Sequence, residues 1–450
     1  MTEQGVRWTA EQVLALAPDT ASRKAGSKLG AAGPWSEAGS SDEGTVWGLC
    51  RGSGSKPYRT VIDVADSTGP AYKCSCPSRK FPCKHALGLL LLWAGEDGSV
   101  PRGQAPDWAE EWTEGRRKRA DDKRAADAAG SPSPGDPEAA RRRAERRAEW
   151  ITAGATELEQ RLADLLRSGL ASAEQAGYGL WEETAARMVD AQAPGLAARV
   201  RELGAIPSSG PGWPVRLLEE CALLHLLDQG WLRREGLPDG LAATVRSRIG
   251  LPASADGPPV RDQWLVLAQY DTADSRLTTR RVWLYGAGSG RTVLLLSYGA
   301  AGRAPELALP VGLALDAEVS AYPGAGQARA ALGERFAPAA PTEFRPPGVD
   351  VARAVAEYGE ALRDDPWLES RPVTLGRVVP VPDGEGWQLA DADGELALPL
   401  TPAAGSRAGL WRLIALSGGA PVTVFGECGH LGFSPLTAWP QGPGEAVTLC

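Results

Sequence analysis

The sequence predicts an α+β protein of several domains, and three observations carry that prediction. First, a short Cys/His cluster in the N-terminal hundred residues stands between β-type runs and an apolar helix-like run. Second, apolar residues recur at helical spacing from Pro137 to about Gly250. Third, short alternating runs typical of strands follow the Pro/Gly-rich stretch 252–259. At 450 residues the chain has room for about two to four domains.

The N-terminal cluster is the strongest chemical signal in the chain. Cys74, Cys76, Cys83 and His85 form a C-x-C-x6-C-x-H pattern, although the sequence holds only seven cysteines and three histidines. Three thiolates and one imidazole are the ligands of a closed, tetrahedral zinc site that leaves no position for a substrate water. The sequence therefore predicts one structural Zn²⁺. The alternative of buried free cysteines or a disulfide is disfavoured, because cysteines two residues apart form strained disulfides.

Local residues support a hairpin, a proline-bounded turn (the knuckle) and a helix. Cys74 and Cys76 can face one ion because residues i and i+2 of a strand share a face, and Pro77 should end that strand. The apolar run Lys84–Trp93 predicts a buried helix, with the third cysteine just before it and the histidine in its first turn.

Other N-terminal elements are also predicted. Strands are expected at Thr45–Leu49, Tyr58–Ala65 and Ala71–Cys76, and a capping box of Thr9 and Gln12 should start a short helix. Loss of the metal is expected to unfold about residues 45–95 and to leave the distal domains folded.

Basic residues surround the cluster. The segment from Lys56 to Lys84 contains six basic and two acidic residues. Four of the basic residues are candidate contacts for a nucleic acid or a protein partner: Lys73, Arg79, Lys80 and Lys84. If four side chains contacted phosphates, the salt slope of duplex binding would be about −3.6. The alternative is that these cations neutralise the thiolates and keep the knuckle soluble.

The segment Cys74–His85 resembles the SWIM-type zinc finger, in particular that of bacterial SWIM proteins. The resemblance covers about 56–92, and Trp47–Gly54 is similar to the family as well. It implies that Cys74, Cys76, Cys83 and His85 are the zinc ligands. It also implies binding of DNA or proteins, with MoxR-type AAA ATPases and von Willebrand A-domain proteins as companions of the bacterial members.

The predicted organisation has four parts: an N-terminal zinc-stapled β-hairpin/helix domain (1–100), a charged linker with helical content (101–148), a helical middle (149–251) and a β-rich C-terminal half (260–450). The linker holds basic runs at 116–119 and 141–143, but interleaved acidic residues favour a solvated helix face. The Gly-rich segment Gly286–Thr292 predicts a hairpin turn and not a phosphate loop, because no helix follows it.

Four further cysteines lie outside the cluster. Cys50 is expected to be a small strand residue, and Cys221 with His225 are expected to be core residues of a helix, given their apolar neighbours. Cys428 and His430 repeat a C-x-H pair, but a second zinc site would need two more ligands, with Cys450 or the Cys221/His225 pair as the candidates.

The composition bears on the location of the protein and on the distribution of its charge. No apolar run reaches the eighteen residues of a membrane span, and the N-terminus lacks an export signal, which favours the cytoplasm. The net charge of −8 divides into +2 for residues 1–150 and −10 for the remainder.

The sequence contains no nucleophile–base pairing or cofactor fingerprint, so we expect no enzyme and infer no small-molecule substrate. A deep polar cleft in the C-terminal half would argue otherwise. The favoured interpretation is a zinc-binding protein-interaction adaptor, and the alternative is a DNA-binding protein.

Overall fold

The computed structural model describes residues 8–450 except for short gaps. The gaps are 15, 19, 53–55, 65–69, 79, 81, 96–97, 130–136, 274–276, 301–304, 306, 325, 327 and 443. Among the described residues the architecture is mixed: β-hairpins and a Cys/His cluster come first, helices follow, and the C-terminal half is rich in strands.

The N-terminal part is an antiparallel sheet flanked by helices. Its elements are α1 (Ala10–Leu14), α2 (Thr20–Ser27), β1 (Trp35–Ser40), β2 (Thr45–Cys50), β3 (Tyr58–Asp63), β4 (Ala71–Cys74) and α3 (Lys84–Ala94). The strands are ordered β1-β2-β3-β4, and we call them the finger sheet. The three predicted strands are present, but β3 ends at Asp63 and β4 at Cys74, earlier than the predicted Ala65 and Cys76. The capping box is confirmed, because the Gln12 amide donates to Thr9 Oγ1 and the Thr9 amide to Gln12 Oε1.

The helical middle has six α-helices among the described residues. They are α4 (Asp107–Ala129), α5 (Pro137–Ser168), α6 (Ala171–Asp190), α7 (Pro194–Ala205), α8 (Trp213–Leu232) and α9 (Asp239–Ile249). The first turns of α4 pack against the finger sheet, where Ala109 joins Trp47 and Val61 in a small apolar cluster. No helix in the described ranges is both long and apolar enough to cross a membrane.

Helices α5 to α9 share one hydrophobic core. Cys221 on α8 lies in that core, as the sequence predicted. The expectation for His225 is wrong: its side chain is 57% exposed, and its Nδ1 lies 2.8 Å from both carboxylate oxygens of Glu159 on α5. Four residues along a helix turn the side chain by about 40°, which takes His225 to the edge of the buried stripe.

The C-terminal half contains two sheets. The first is built from β5 (Val260–Ala273), β6 (Leu277–Gly286), β7 (Thr292–Ala300), β8 (Leu313–Ala321), β9 (Arg329–Arg335) and β10 (Ala340–Pro341). Because β8 pairs with β9 as well as with β5, strands β5–β9 close on themselves, and we call them the central barrel. After α10 (Val351–Asp364) comes the C-terminal sheet with two helices in it: β11 (Ser370–Asp383), β12 (Gly386–Asp391), β13 (Ala397–Pro399), α11 (Pro402–Gly405), α12 (Ala408–Ser417), β14 (Val422–Gly429), β15 (Gly432–Trp439) and β16 (Val447–Thr448).

The barrel strands bury side chains on both faces, because successive residues of a strand alternate. One set, which includes Val282 and Leu284 of β6, belongs to the same core as Leu87 and Leu90 of α3. The other set includes Trp283 and packs against Phe425 and neighbours of the C-terminal sheet. The zinc-finger helix and the barrel interior therefore form one continuous core.

The Gly-rich segment is a hairpin turn between β6 and β7, as predicted. Its amides are occupied by a carboxylate of the protein itself: Gly288 N–H donates to Asp262 Oδ1 (2.9 Å) and Ser289 N–H to Asp262 Oδ2 (2.7 Å). This loop therefore has no free amide nest for a phosphate.

Trp367, just before β11, joins the C-terminal half to the helical bundle. Its ring lies in the bundle core, only 5% exposed, and its Nε1 donates to the Leu223 carbonyl of α8 at 2.8 Å. Beside it, Arg248 of α9 pairs with the buried Asp365 at 2.5 Å. The two parts are therefore packed together at this point.

We expect Trp367→Ala to lower the free energy of unfolding by about 3–5 kcal/mol, because it leaves a cavity in the bundle core and removes the hydrogen bond to the Leu223 carbonyl. Urea unfolding measures the loss. Trp150→Ala is the control: that indole is 51% exposed, and its removal should change stability by less than about 0.5 kcal/mol. Equal losses for the two variants would contradict the assigned packing.

Asp228 gives the bundle a specific pH dependence. Its side chain is fully buried, its oxygens have no hydrogen-bond partner among the described residues, and burial, with Glu159, raises its pKa to about 9. The native state keeps a proton that the unfolded chain releases above about pH 4, so stability should fall as the pH rises from about 4 towards 9.

Asp228→Asn should remove this slope, raising the free energy of unfolding by about 1–3 kcal/mol at pH 8 and changing it little at pH 4. Urea unfolding at the two pH values tests this, with exposed Asp190→Asn as the control. The same increment at both pH values would show that ionisation of Asp228 is not the cause.

Candidate metal centre

The four predicted ligands meet at the junction of β4, the knuckle and α3. Cys74 is the last residue of β4, Cys76 follows two positions later, Cys83 is the N-cap of α3 and His85 lies in its first turn. One ligand atom from each side chain lies within 4.8 Å of every other. The local order predicted from sequence, a hairpin, a knuckle and then a helix, is confirmed.

The spacing of the ligand atoms fits zinc. His85 Nδ1 lies 3.7 Å from Cys74 Sγ and 4.0 Å from Cys83 Sγ. Zinc–sulfur bonds of about 2.3 Å and zinc–nitrogen bonds of about 2.0–2.1 Å at the tetrahedral angle separate sulfur from nitrogen by about 3.6 Å. The cluster is thus consistent with one structural zinc, with Nδ1 as the imidazole ligand atom.

Two residues that the sequence did not single out support the ligands. Thr60 lies opposite Cys74 in the β3–β4 register, and its Oγ1 is 3.3 Å from the Cys74 sulfur. The Tyr58 ring packs on the imidazole of His85, with centroids 4.8 Å apart. Strand register was the signal available for Thr60, since pairing β3 with β4 places it across from a ligand. Such second contacts orient the ligands and tune the metal.

The strand leading into the site stops earlier than expected. It was predicted to run to Cys76, but β4 ends at Cys74. Pairing with the neighbouring strand continues in a looser form, because the Ser75 amide donates to the Arg59 carbonyl at 3.0 Å and Ser75 Oγ accepts from the Arg59 amide at 3.0 Å. These two hydrogen bonds orient the backbone so that the Cys76 side chain lies at the metal site.

The pKa values of the three thiols indicate that a bound cation stabilises this site. Hydrogen bonding from Cys83, with further help from His85 and Thr60, holds the pKa of the Cys74 thiol far below its ordinary value. The same contact with Cys74, followed by burial, raises the pKa of Cys83, and burial raises that of Cys76. Without a metal the site therefore favours one thiolate. A divalent ion is needed to stabilise three thiolates together.

The predicted contact residues lie outside the ligand cluster. Lys73, Lys80 and Lys84 are exposed, and Arg79 lies outside the described residues. Arg59, from the same basic stretch, lies over the Trp108 ring of α4 at 5.9 Å. The exposed lysines leave the surface of the knuckle positively charged.

Other cysteines do not extend the site. Cys50 is a buried residue of β2, as expected, and is not part of the cluster, although burial and then the nearby Cys74 raise its pKa. Cys428 is buried in β14, whereas Cys450 is exposed. In the ranges that the structure describes, Cys74, Cys76, Cys83 and His85 are the one cluster of three or more such side chains. A second zinc at Cys428 and His430 therefore gains no support there.

Chemically, the arrangement can hold a metal but offers it no substrate position. Four protein ligands complete a tetrahedron, and the imidazole and Cys83 are buried. Its physical effect is to fix the start of α3, whose apolar side chains enter the core shared with the central barrel.

Cys76→Ala should reduce bound zinc from one per chain to nearly none, because three ligands hold zinc much more weakly than four. Cys50→Ala, which removes a buried thiol outside the cluster, should keep one zinc per chain. Elemental analysis after dialysis measures both, and full zinc retention by Cys76→Ala would refute the assigned ligand set.

The shared core changes the expected extent of unfolding in Cys76→Ala. Amide hydrogen exchange should increase in 45–95 and also in barrel strands β6 and β7, while the C-terminal sheet stays protected. Increased exchange confined to 45–95 would instead mean that the finger unfolds independently of the barrel.

Comparisons with protein families agree with the geometry. Residues 69–94 match the SWIM zinc finger, and residues 146–249 match the SWIM-associated four-helix bundle domain. Neither a curated protein nor a solved structure gave a significant match. The zinc-competent cluster and the bundle that follows it occupy the two matched segments, so the chain contains a segment similar to the SWIM zinc finger and a segment similar to the SWIM-associated four-helix bundle domain.

Proposed function

We propose that this protein is an interaction adaptor whose structural zinc shapes a docking groove for a partner protein and takes no part in catalysis. The observation that carries the proposal is a groove of about 600 Å³ beside the knuckle. One wall is formed by helix α2, through Ala21, Ala25 and the following Leu29, and the other by the chain from Cys76 to Ser78.

The groove depends on the metal. Cys76, Cys83 and His85 are both ligands and lining residues, so the ion fixes the wall that a partner would contact. A binding surface built in this way is available only when the finger is loaded with zinc. Its three thiol ligands persist in a reducing compartment, and we place the protein in the cytoplasm on that ground.

The charge of the lining indicates the kind of partner. Arg51 and Lys84 are exposed at the groove, and Tyr58 adds an aromatic surface between polar groups. We propose that the groove accepts a protein segment with carboxylates opposite these two cations and a small apolar side chain against α2. The sequence resemblance makes MoxR-type AAA ATPases and von Willebrand A-domain proteins the first partners to test.

Affinity purification with quantitative mass spectrometry tests the proposal. The baits are the wild type, Cys76→Ala and the groove variant Arg51→Glu/Lys84→Glu. The control is Lys118→Glu/Arg143→Glu, which makes the same change in net charge at exposed positions on α4 and α5. We expect a partner that is retained by the wild type and the control but reduced at least tenfold by the other two baits. Identical partner sets for all four baits would refute the groove.

DNA binding is the alternative outcome, and salt distinguishes it. Exposed Lys73, Lys80 and Lys84 would contact phosphates, and the logarithm of affinity would fall steeply with the logarithm of salt concentration. A gel shift that is abolished by Lys73→Ala/Lys80→Ala and steeply weakened between about 50 and about 200 mM salt would favour this function over the adaptor.

A further inference from the structure

A second cleft lies in the C-terminal half, away from the zinc finger. It has a volume of about 660 Å³ and opens between the outer face of the central barrel and the C-terminal sheet, with α9 and α10 at its sides. This volume falls within the range of about 300–1,000 Å³ that is usual for small-molecule sites, which occur preferentially between domains. This cleft could not be predicted from the sequence, because its lining comes from strands far apart in the chain.

The cleft is rich in arginine. Its lining includes Arg248, Arg281, Arg291, Arg329 and Arg371, against three carboxylates, Glu357, Asp365 and Glu427. Arg248 forms an ion pair with Asp365 at 2.5 Å. Two other arginines lie at the distance limit of an ion pair: Arg281 is 4.0 Å from Glu427, and Arg371 is 3.9 Å from Glu357. Among the described residues, Arg291 and Arg329 have no carboxylate partner, so the lining carries an excess of positive charge in a protein of net charge −8.

Buried donors without acceptors point into the same region. Trp283, on the outer face of β6, is only 3% exposed, and its Nε1 has no hydrogen-bond partner in the described part of the chain. The buried Nε atoms of Arg281 and Arg371 also lack one. All three atoms are N–H donors, and all three residues line the cleft. Buried donors are normally satisfied, so these three add to the excess of donors over acceptors around the cleft, although the atoms themselves are closed to solvent.

The register shows how the two sheets place these donors. Arg281 and Trp283 lie two residues apart on β6 and so share a face. Glu427 of β14 lies opposite Pro372, next to Arg371, in the β11–β14 pairing, and it also accepts from the Tyr270 hydroxyl of β5 at 3.3 Å. Glu427 therefore faces the donors of the barrel, whereas Arg371 lies on the opposite face of β11, near Glu357 of α10. Arg329 is held in place by stacking over the Tyr322 ring at 4.3 Å.

We propose that this cleft binds a small polyanion, a phosphorylated or polycarboxylate metabolite. The ligand pairs with Arg291 and Arg329, the accessible arginines of the lining that have no carboxylate partner among the described residues. Planar guanidinium groups suit phosphate and carboxylate oxygens equally, so the lining defines the charge of the ligand and its hydrogen-bonding character. The site is independent of the docking groove and adds a ligand-binding role to the C-terminal half.

Isothermal titration calorimetry on the full-length zinc-loaded protein tests this, with tripolyphosphate and citrate as separate probes at constant ionic strength. We expect saturable binding of at least one probe, and the tighter one assigns the ligand to the phosphate or the carboxylate class. Failure of both probes to bind would overturn the proposal.

Variants then locate the binding. Arg291→Ala and Arg329→Ala, at accessible positions that the fold tolerates, should each weaken binding about tenfold or more. Arg143→Ala, an exposed change of equal charge on α5, should bind like the wild type. Equal weakening by Arg143→Ala, or no weakening by either cleft arginine variant, would overturn the proposal.

Discussion

The interior of the central barrel and the apolar side of α3 belong to one hydrophobic core, which joins the zinc finger to the C-terminal half. A closed sheet directs every second side chain inward, and here those side chains share a cluster with leucines of a helix of the zinc finger. Neither part buries its apolar surface alone. The finger sheet, with four strands and short flanking helices, is too small for an independent core, and the metal and the barrel both compensate for this.

The metal acts on this core through one helix. Cys83 and His85 hold the start of α3, and the rest of that helix delivers Leu87, Leu89 and Leu90 to the core. Thiol protonation adds a thermodynamic reason for the ion, since burial and mutual contact oppose more than one thiolate without it. Zinc binding, formation of α3 and packing against the barrel are therefore energetically coupled.

The outer face of the barrel is partly apolar and partly polar. Its packing against the C-terminal sheet is apolar where Trp283 contacts Phe425 edge to face, with centroids 6.2 Å apart, and polar where the arginines gather. At the margin of this interface the two sheets separate and leave the cleft lined by residues of both. The protein thus has a groove at the metal on one side of its architecture and a cleft between sheets on another, each with arginine or lysine at its surface.

The sequence by itself determined the features that depend on neighbours in the chain. The ligand spacing of Cys74 to His85, the capping box at Thr9 and the helix after Cys83 all follow from local chemistry, and each is present. Even so, His225 was misplaced, because a stretch of apolar neighbours does not specify the exact edge of a buried stripe.

Only the tertiary structure decided which elements share a core and where polar groups converge. The continuity of α3 with the barrel, the insertion of Trp367 into the bundle and the arginine-lined cleft all join residues far apart in sequence. Periodicity tells which face of a strand or helix is buried, but not which distant surface covers it. That choice depends on strand register and on the closure of the barrel, because these long-range pairings fix which side chains face one another.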